Sequence, residues 1–133
     1  IVFGDWSSDV CSSDLVSMLA KNNLKKSGNF LMESQFPLDK TSPEIFHRLY
    51  DTDNLIIERI TSNGQATAND EWLEENFNEW VLLLQGESKI KFITGEEYNI
   101  LKGDYLFIPA GTKHRVEFTS QKPECIWLAI HYK

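Results

Sequence analysis

The sequence predicts an all-β sandwich or jelly-roll β-barrel preceded by one short α-helix. Three observations carry this expectation. From residue 55 onward, short runs alternate apolar and polar residues with a period of two. The runs recur at roughly 8–12-residue spacing, as in sandwiches and barrels. Turn formers separate them: Asn63-Gly64, Thr94-Gly95-Glu96 and Pro109-Ala110-Gly111.

The helix is expected over 42–50. Thr41 followed three residues later by Glu44 reads as a capping box, and Pro43 is tolerated in a first helical turn. Ile45, Phe46, Leu49 and Tyr50 then repeat at helical spacing. The first strand is expected at Leu55–Ile60, rich in β-branched residues and closed by Asn63-Gly64. Glu79–Gln85 is apolar on both alternating sets, Val81 with Leu83 and Trp80 with Leu82 and Leu84, so it reads as a strand covered on both faces. Ser88–Ile93 and Glu97–Leu101 form a hairpin through Thr94-Gly95-Glu96. Asp104–Ile108 and His114–Phe118 flank Pro109-Ala110-Gly111. Cys125–Tyr132 closes the series, with Ile126, Leu128 and Ile130 on one face and Trp127, Ala129 and His131 on the other.

With 133 residues, 41% of them hydrophobic, the chain suits one domain, expected at 36–133. Residues 16–35 are polar without a strong period and are expected to be a poorly ordered lead-in. A formal charge of −7 argues against a nucleic-acid or anionic-membrane surface, and no run approaches the ~20 apolar residues of a membrane span. The expected location is the cytoplasm, with Cys125 an inert buried thiol. No CxxC spacing marks a zinc or redox site, and no nucleophile–His–acid arrangement, phosphate-binding glycine loop or basic aromatic patch is present.

Asp5–Leu15, DWSSDVCSSDL, belongs to no structural pattern in the chain. Read back into codons, residues 1–15 resemble a translated sequencing adapter, as expected in a metagenomic gene fragment. The segment is therefore expected to be disordered and is set aside from fold reasoning. Setting it aside removes Cys11, Asp5, Asp9 and Asp14, and −7 becomes −4 (−7 + 3). Met18 and Met32 are then candidate starts, unless the natural start is lost.

Two stretches carry the chemistry. Glu79 is followed, seven residues on, by Gly86. Gly103, Pro109, Gly111 and His114 then stand in the pattern Gly, five residues, Pro-x-Gly, two residues, His. Together, in this order and spacing, they resemble the two motifs of the cupin superfamily, as in small single-domain cupin-2-like barrels. The resemblance spans about residues 28 to 133 and implies a jelly-roll barrel whose interior binds a metal or a small molecule. It departs at Phe118, where an Asn is usual, and in the first motif's two histidines. Their places fall on Trp72 and Glu74, or on Leu73 and Glu75 if the gap before Glu79 is one residue shorter.

The ligand set the resemblance implies is Glu74, Glu79 and His114, two carboxylates and one imidazole, suited to Mn²⁺, Fe²⁺, Zn²⁺ or Ni²⁺ and tilted by its oxygens toward the harder ions. Glu75 in place of Glu74 stays open. So does a metal-free arrangement in which Glu79 and His114 satisfy each other. Asp70, Glu71, Glu74 and Glu75 otherwise read as a solvated acidic loop. His47 is expected to face solvent. His131 faces either the pocket or a dimer surface, and Trp72 either stacks on a ligand at the pocket mouth or packs in the core. The function implied is a small metal-binding cupin of unassigned chemistry holding a small organic ligand near Glu79 and His114. The alternatives are a non-catalytic binding module with a degenerate, metal-free site and a metal-free isomerase or epimerase. Whether the protein is an enzyme stays open, and no catalytic residue is assigned. A homodimer is the expected assembly, with Trp80, Leu82 and Leu84 on an outward face, and neither nucleic acid nor membrane is expected as a partner.

Overall fold

In the computed structural model the described residues are 26–32 and 35–133. The expectations for residues 1–15, and for most of the lead-in, lie outside them. Eight strands follow one another: β1 (Ile45–Asp51), β2 (Leu55–Ser62), β3 (Asn78–Gln85), β4 (Ser88–Phe92), β5 (Glu97–Ile100), β6 (Tyr105–Ile108), β7 (His114–Thr119) and β8 (Cys125–Tyr132). They form two antiparallel sheets, a five-stranded one in the order β1-β2-β8-β3-β6 and a three-stranded one in the order β5-β4-β7. The expected strands from residue 55 onward are all present, with ends displaced by at most two residues.

The helix expected over 42–50 is not formed; the described residues contain no helix, and Ile45–Asp51 is a strand. Its register against β2 runs from Ile45 opposite Thr61 to Asp51 opposite Ile56, with an irregularity between Arg48 and Tyr50. That irregularity lets one apolar set satisfy a sheet while imitating helical spacing in the sequence. The capping residues are committed elsewhere. The Thr41 backbone N–H donates to Asp39 Oδ1 at 2.8 Å, and Glu44 accepts a hydrogen bond from Ser62 Oγ on β2. A helix of about nine residues is marginal alone, whereas the edge of β2 offers a complete ladder.

Period-two alternation fills the core. In β3 and β8, Val81 lies opposite Ala129 and Leu83 opposite Trp127, and all four are fully buried. Ile60 of β2 lies opposite Trp127, while Ile90 and Val116 close the cluster from the three-stranded sheet. Trp127, Ala129 and His131 therefore point inward, on the face opposite Ile126, Leu128 and Ile130. Truncating Trp127 to Ala would cost about 3–5 kcal/mol.

The outer face of β2 is covered in turn. Arg59 Nη1 donates to the Phe30 carbonyl at 3.0 Å, and its guanidinium lies 5.7 Å from the Phe30 ring centroid. Thr61 Oγ1 donates to the Gln35 carbonyl at 2.5 Å. Gly86 closes the β3–β4 turn at φ +94°, where a Cβ would meet Cys125 Sγ at 2.7 Å and Ser120 Oγ at 2.8 Å. Both the left-handed backbone and the close approach require glycine there.

Glu44 is buried beside Ser62 of β2. Its Oε1 has no hydrogen-bond partner among the described residues, and burial pushes its carboxyl up to about 8. An unfolded chain would ionise this group near 4.5, so between pH 4.5 and 8 the folded state binds the extra proton. Stability should therefore fall as pH rises through that window, by up to about 1.4 kcal/mol per pH unit from this group. Glu44→Gln is expected to unfold at higher temperature than the parent at pH 8, with the gap closing toward pH 4.5. Melting curves that differ by a constant amount across this range would refute the assignment.

Candidate functional site

Glu79 stands near the start of β3, flanked by Ile108 of β6 and His131 of β8. It shares the inner face with Val81 and Leu83, has no exposed surface, and neither carboxyl oxygen has a hydrogen-bond partner among the described residues. The loop after Ile108 crosses to the other sheet and delivers His114 at the start of β7. That crossing is braced at its rim. Ala110 N–H donates to Asn78 Oδ1 at 3.0 Å and Gly111 N–H to the Glu75 carbonyl at 2.8 Å. Glu79 and His114 thus occupy facing walls of one end of the barrel.

His114 is fully buried, and its ring meets Phe92 edge-on with centroids 6.4 Å apart. Its Nδ1 lies 2.9 Å from the Thr112 carbonyl. A carbonyl only accepts, so Nδ1 carries the proton and Nε2 is left with a lone pair. Nε2 is buried without a hydrogen-bond partner among the described residues. Burial lowers the ring's pKa to about 4, so the imidazole is neutral at physiological pH.

A second imidazole–carboxylate pair lies beside Glu79. His131 Nε2 is 3.4 Å from Glu58 Oε1, with the side chains 1% and 2% exposed, and Arg48 Nε reaches Glu58 Oε2 at 3.9 Å from the surface. His131 therefore lines the interior and not a dimer surface. Sequence reasoning missed Glu58, although a signal existed: within β2 it shares the alternating inward set with Ile56 and Ile60, a carboxylate in an apolar row.

The first-motif positions separate cleanly. Leu73 pairs with His114 through both backbone hydrogen bonds, at 2.7 and 3.0 Å. Opposed residues of an antiparallel bridge share a face, so Leu73 takes an inward position where no donor exists. Trp72 is 36% exposed, with the Arg115 guanidinium 5.8 Å from its ring centroid, on the outer side of β7. Glu74 is exposed, and Glu75 is half-buried. The expected set Glu74, Glu79 and His114 is thus not brought together. Among the described residues no three His, Cys, Asp or Glu groups converge as an ion would require. Direct pairing of Glu79 with His114 is not formed either. His47 is half-buried, not solvent-facing, and accepts from Arg59 Nη2 at Nδ1 over 2.7 Å. Cys125 is a buried free thiol whose pKa is raised by burial.

His114 Nε2 and Glu79 are suitable donors in type, but open divalent sites rest on about three protein ligands. Two donors without a third among the described residues do not fit a resident ion. After reconstitution with Mn²⁺, Fe²⁺, Zn²⁺ or Ni²⁺ and gel filtration, the protein is expected to retain far less than one ion per chain by mass spectrometry. About one ion per chain, lost in His114→Ala, would restore the ion to this site.

The family model described as the cupin domain matches residues 61–131. A crystal structure from Ralstonia eutropha JMP134, provisionally described as a mannose-6-phosphate isomerase, is 33% identical, with 82% of this chain and 99% of that one covered at a TM-score of 0.75. A cupin superfamily protein from Desulfitobacterium hafniense DCB-2 is 20% identical, covering 83% and 94%, with a TM-score of 0.62. The DMSP lyase DddQ from Ruegeria pomeroyi DSS-3 is 15% identical, covering 80% and 55%, with a TM-score of 0.59. The last two likenesses carry the fold alone. No curated protein sequence matches the chain. Among the described residues no helix is long and apolar enough to cross a membrane.

Proposed function

The chain belongs to the cupin-domain family, and on that premise we propose that it binds a small organic ligand inside the barrel, between Glu79 and His114, without a resident metal ion. One observation carries this reading. Three buried acceptor atoms, both Glu79 oxygens and His114 Nε2, have no hydrogen-bond partner among the described residues. Each such atom costs roughly 1–3 kcal/mol when left unsatisfied, so their retention at one end of a barrel supports a site completed by a bound molecule.

A second reading, metal-free isomerase or epimerase chemistry, is favoured by the same two side chains. His114 Nε2 is unprotonated and able to take a proton, and Glu79 stands across the interior from it as the other acid–base group. The provisional isomerase description of the R. eutropha relative is compatible with this reading. Binding is common to both.

In a thermal-shift screen of small metabolites, at least one class is expected to raise the melting temperature by several degrees, and Glu79→Gln and His114→Ala should abolish the shift. A hit whose stabilisation survives both substitutions would place the ligand elsewhere and sink the proposal.

We also propose a homodimer through the outer face of β3 and β6. Tyr105 and Phe107 are 67% and 45% exposed on β6, an edge strand, and Trp80 stacks on Tyr105 with centroids 5.7 Å apart. Light scattering should give twice the chain mass at micromolar concentration and the single-chain mass for Tyr105→Lys. A monodisperse monomer of the parent would count against it.

A further inference from the structure

Glu79 and His114 have no exposed surface, and the Glu79 oxygens and His114 Nε2 are shut off from solvent. A small molecule that reaches them must pass through a wall that opens. Two junctions at this end are complete strand ladders. β8 is paired with β2 as far as Leu55–Tyr132 and with β3 as far as Asn78–Tyr132, so neither parts without breaking a sheet.

The chain crosses between the two sheets here through segments held with unequal strength. Leu73 is bonded to His114 through both backbone hydrogen bonds, at 2.7 and 3.0 Å. Behind it the Thr67 N–H donates to the Val116 carbonyl and the Val116 N–H to Thr67 Oγ1, each at 2.9 Å. The other crossing, residues 109–112, leads from Ile108, opposite Glu79, toward His114. Pro109, Ala110 and Gly111 are exposed. Among the described residues two hydrogen bonds tie this turn to the chain before and at the start of β3. The Ala110 N–H donates to Asn78 Oδ1 at 3.0 Å and the Gly111 N–H to the Glu75 carbonyl at 2.8 Å. Small, exposed residues held by few bonds open locally while the rest of a fold stays closed.

The same turn carries the Thr112 carbonyl, 2.9 Å from His114 Nδ1, which keeps the proton there and leaves Nε2 as an acceptor. One short segment thus controls both access to the site and the orientation of its imidazole. We propose that residues 109–112 are the gate to the Glu79–His114 end, that Asn78 is its latch, and that closure restores the Thr112 contact and so sets His114 for its ligand. The inference rests on the pocket reading above and deepens it by naming how the site is entered. Asn78 acts through Ala110 and is a positioning residue.

Gate opening is read on the full chain at pH 7, with no ligand, from the rate at which diethyl pyrocarbonate modifies His114, followed by peptide mass mapping. Nε2 attacks one carbonyl of the reagent, forming an N–C bond as the anhydride C–O bond breaks. The Nδ1 proton passes to solvent, and ethyl carbonate leaves and decomposes to ethanol and carbon dioxide. Cys125, a buried thiol at the other end of β8 from His131, is alkylated with iodoacetamide in parallel and reports opening of the whole barrel. Asn78→Ala removes one latch bond and should speed His114 modification by about two- to tenfold, with the Cys125 rate unchanged. Asn78→Asp keeps an acceptor for the Ala110 N–H and should stay within about twofold of the parent. Gly111→Ala, strained at φ +78°, should also speed His114 while leaving Asn78 in place. Unchanged His114 rates in Asn78→Ala and Gly111→Ala overturn the gate, and so does acceleration of His114 and Cys125 by the same factor, the signature of global unfolding. A response of Gly111→Ala alone, or an Asn78→Asp rate equal to that of Asn78→Ala, removes Asn78 as the latch. Should Asn78→Ala fail to fold, Gly111→Ala still decides whether the turn is the gate. Because these rates involve no ligand, a metabolite screen without a hit would sink the pocket reading alone, and a failed gate would leave a ligand's melting shift untouched.

Discussion

β8 runs between β2 and β3, and the inward side chains of the five-stranded sheet take their places from that double register. With Trp127 opposite both Ile60 and Leu83, period-two alternation brings His131 opposite Glu79 and Ala129 opposite Glu58. The apolar core and the acidic row are consequences of one alignment. A slip of one residue would turn Leu128 and Ile130 inward and expel His131 from the carboxylates. The large buried surface of Trp127 makes that slip costly, so a hydrophobic residue at one level fixes the electrostatics at the next.

The cost of that arrangement is carried by the polar end. Buried carboxylates and imidazoles oppose folding unless paired, and here Glu58 has His131 at 3.4 Å while Glu79 is left without a partner among the described residues. A purely structural interior would place an apolar residue at 79, as β3 does at 81 and 83. The tautomer of His114 is set by a backbone carbonyl two residues away, a local contact that needs no ligand. The lone pair on the buried Nε2 is therefore set by the protein's own backbone.

Much of the β architecture was legible because alternation, turn glycines and motif spacing are local signals. Glu79, Gly86 and His114 were equally legible, since spacing along the chain identifies them. The exceptions share a cause. The segment 42–50 reads as a helix when Ile45, Phe46, Leu49 and Tyr50 are counted alone, and β2, distant in folding logic though near in sequence, makes it a strand. Which of Trp72, Leu73, Glu74 and Glu75 turn inward depends on the backbone bridge between Leu73 and His114, separated by forty-one positions of chain (114 − 73). His47 reads as exposed until Arg59 is seen to reach it across the β1–β2 ladder.

The sequence by itself determined the order of the strands from residue 55 onward, the family resemblance and the two residues on which the candidate site is built, because each is written in periodicity or spacing. Only the tertiary structure decided that Glu58 and His131 join them, that Leu73 stands where a third donor would be needed, and that Glu79 and His114 do not satisfy each other. Those outcomes depend on how strands far apart in sequence are aligned and on what is buried between the two sheets, and such distances are not encoded locally.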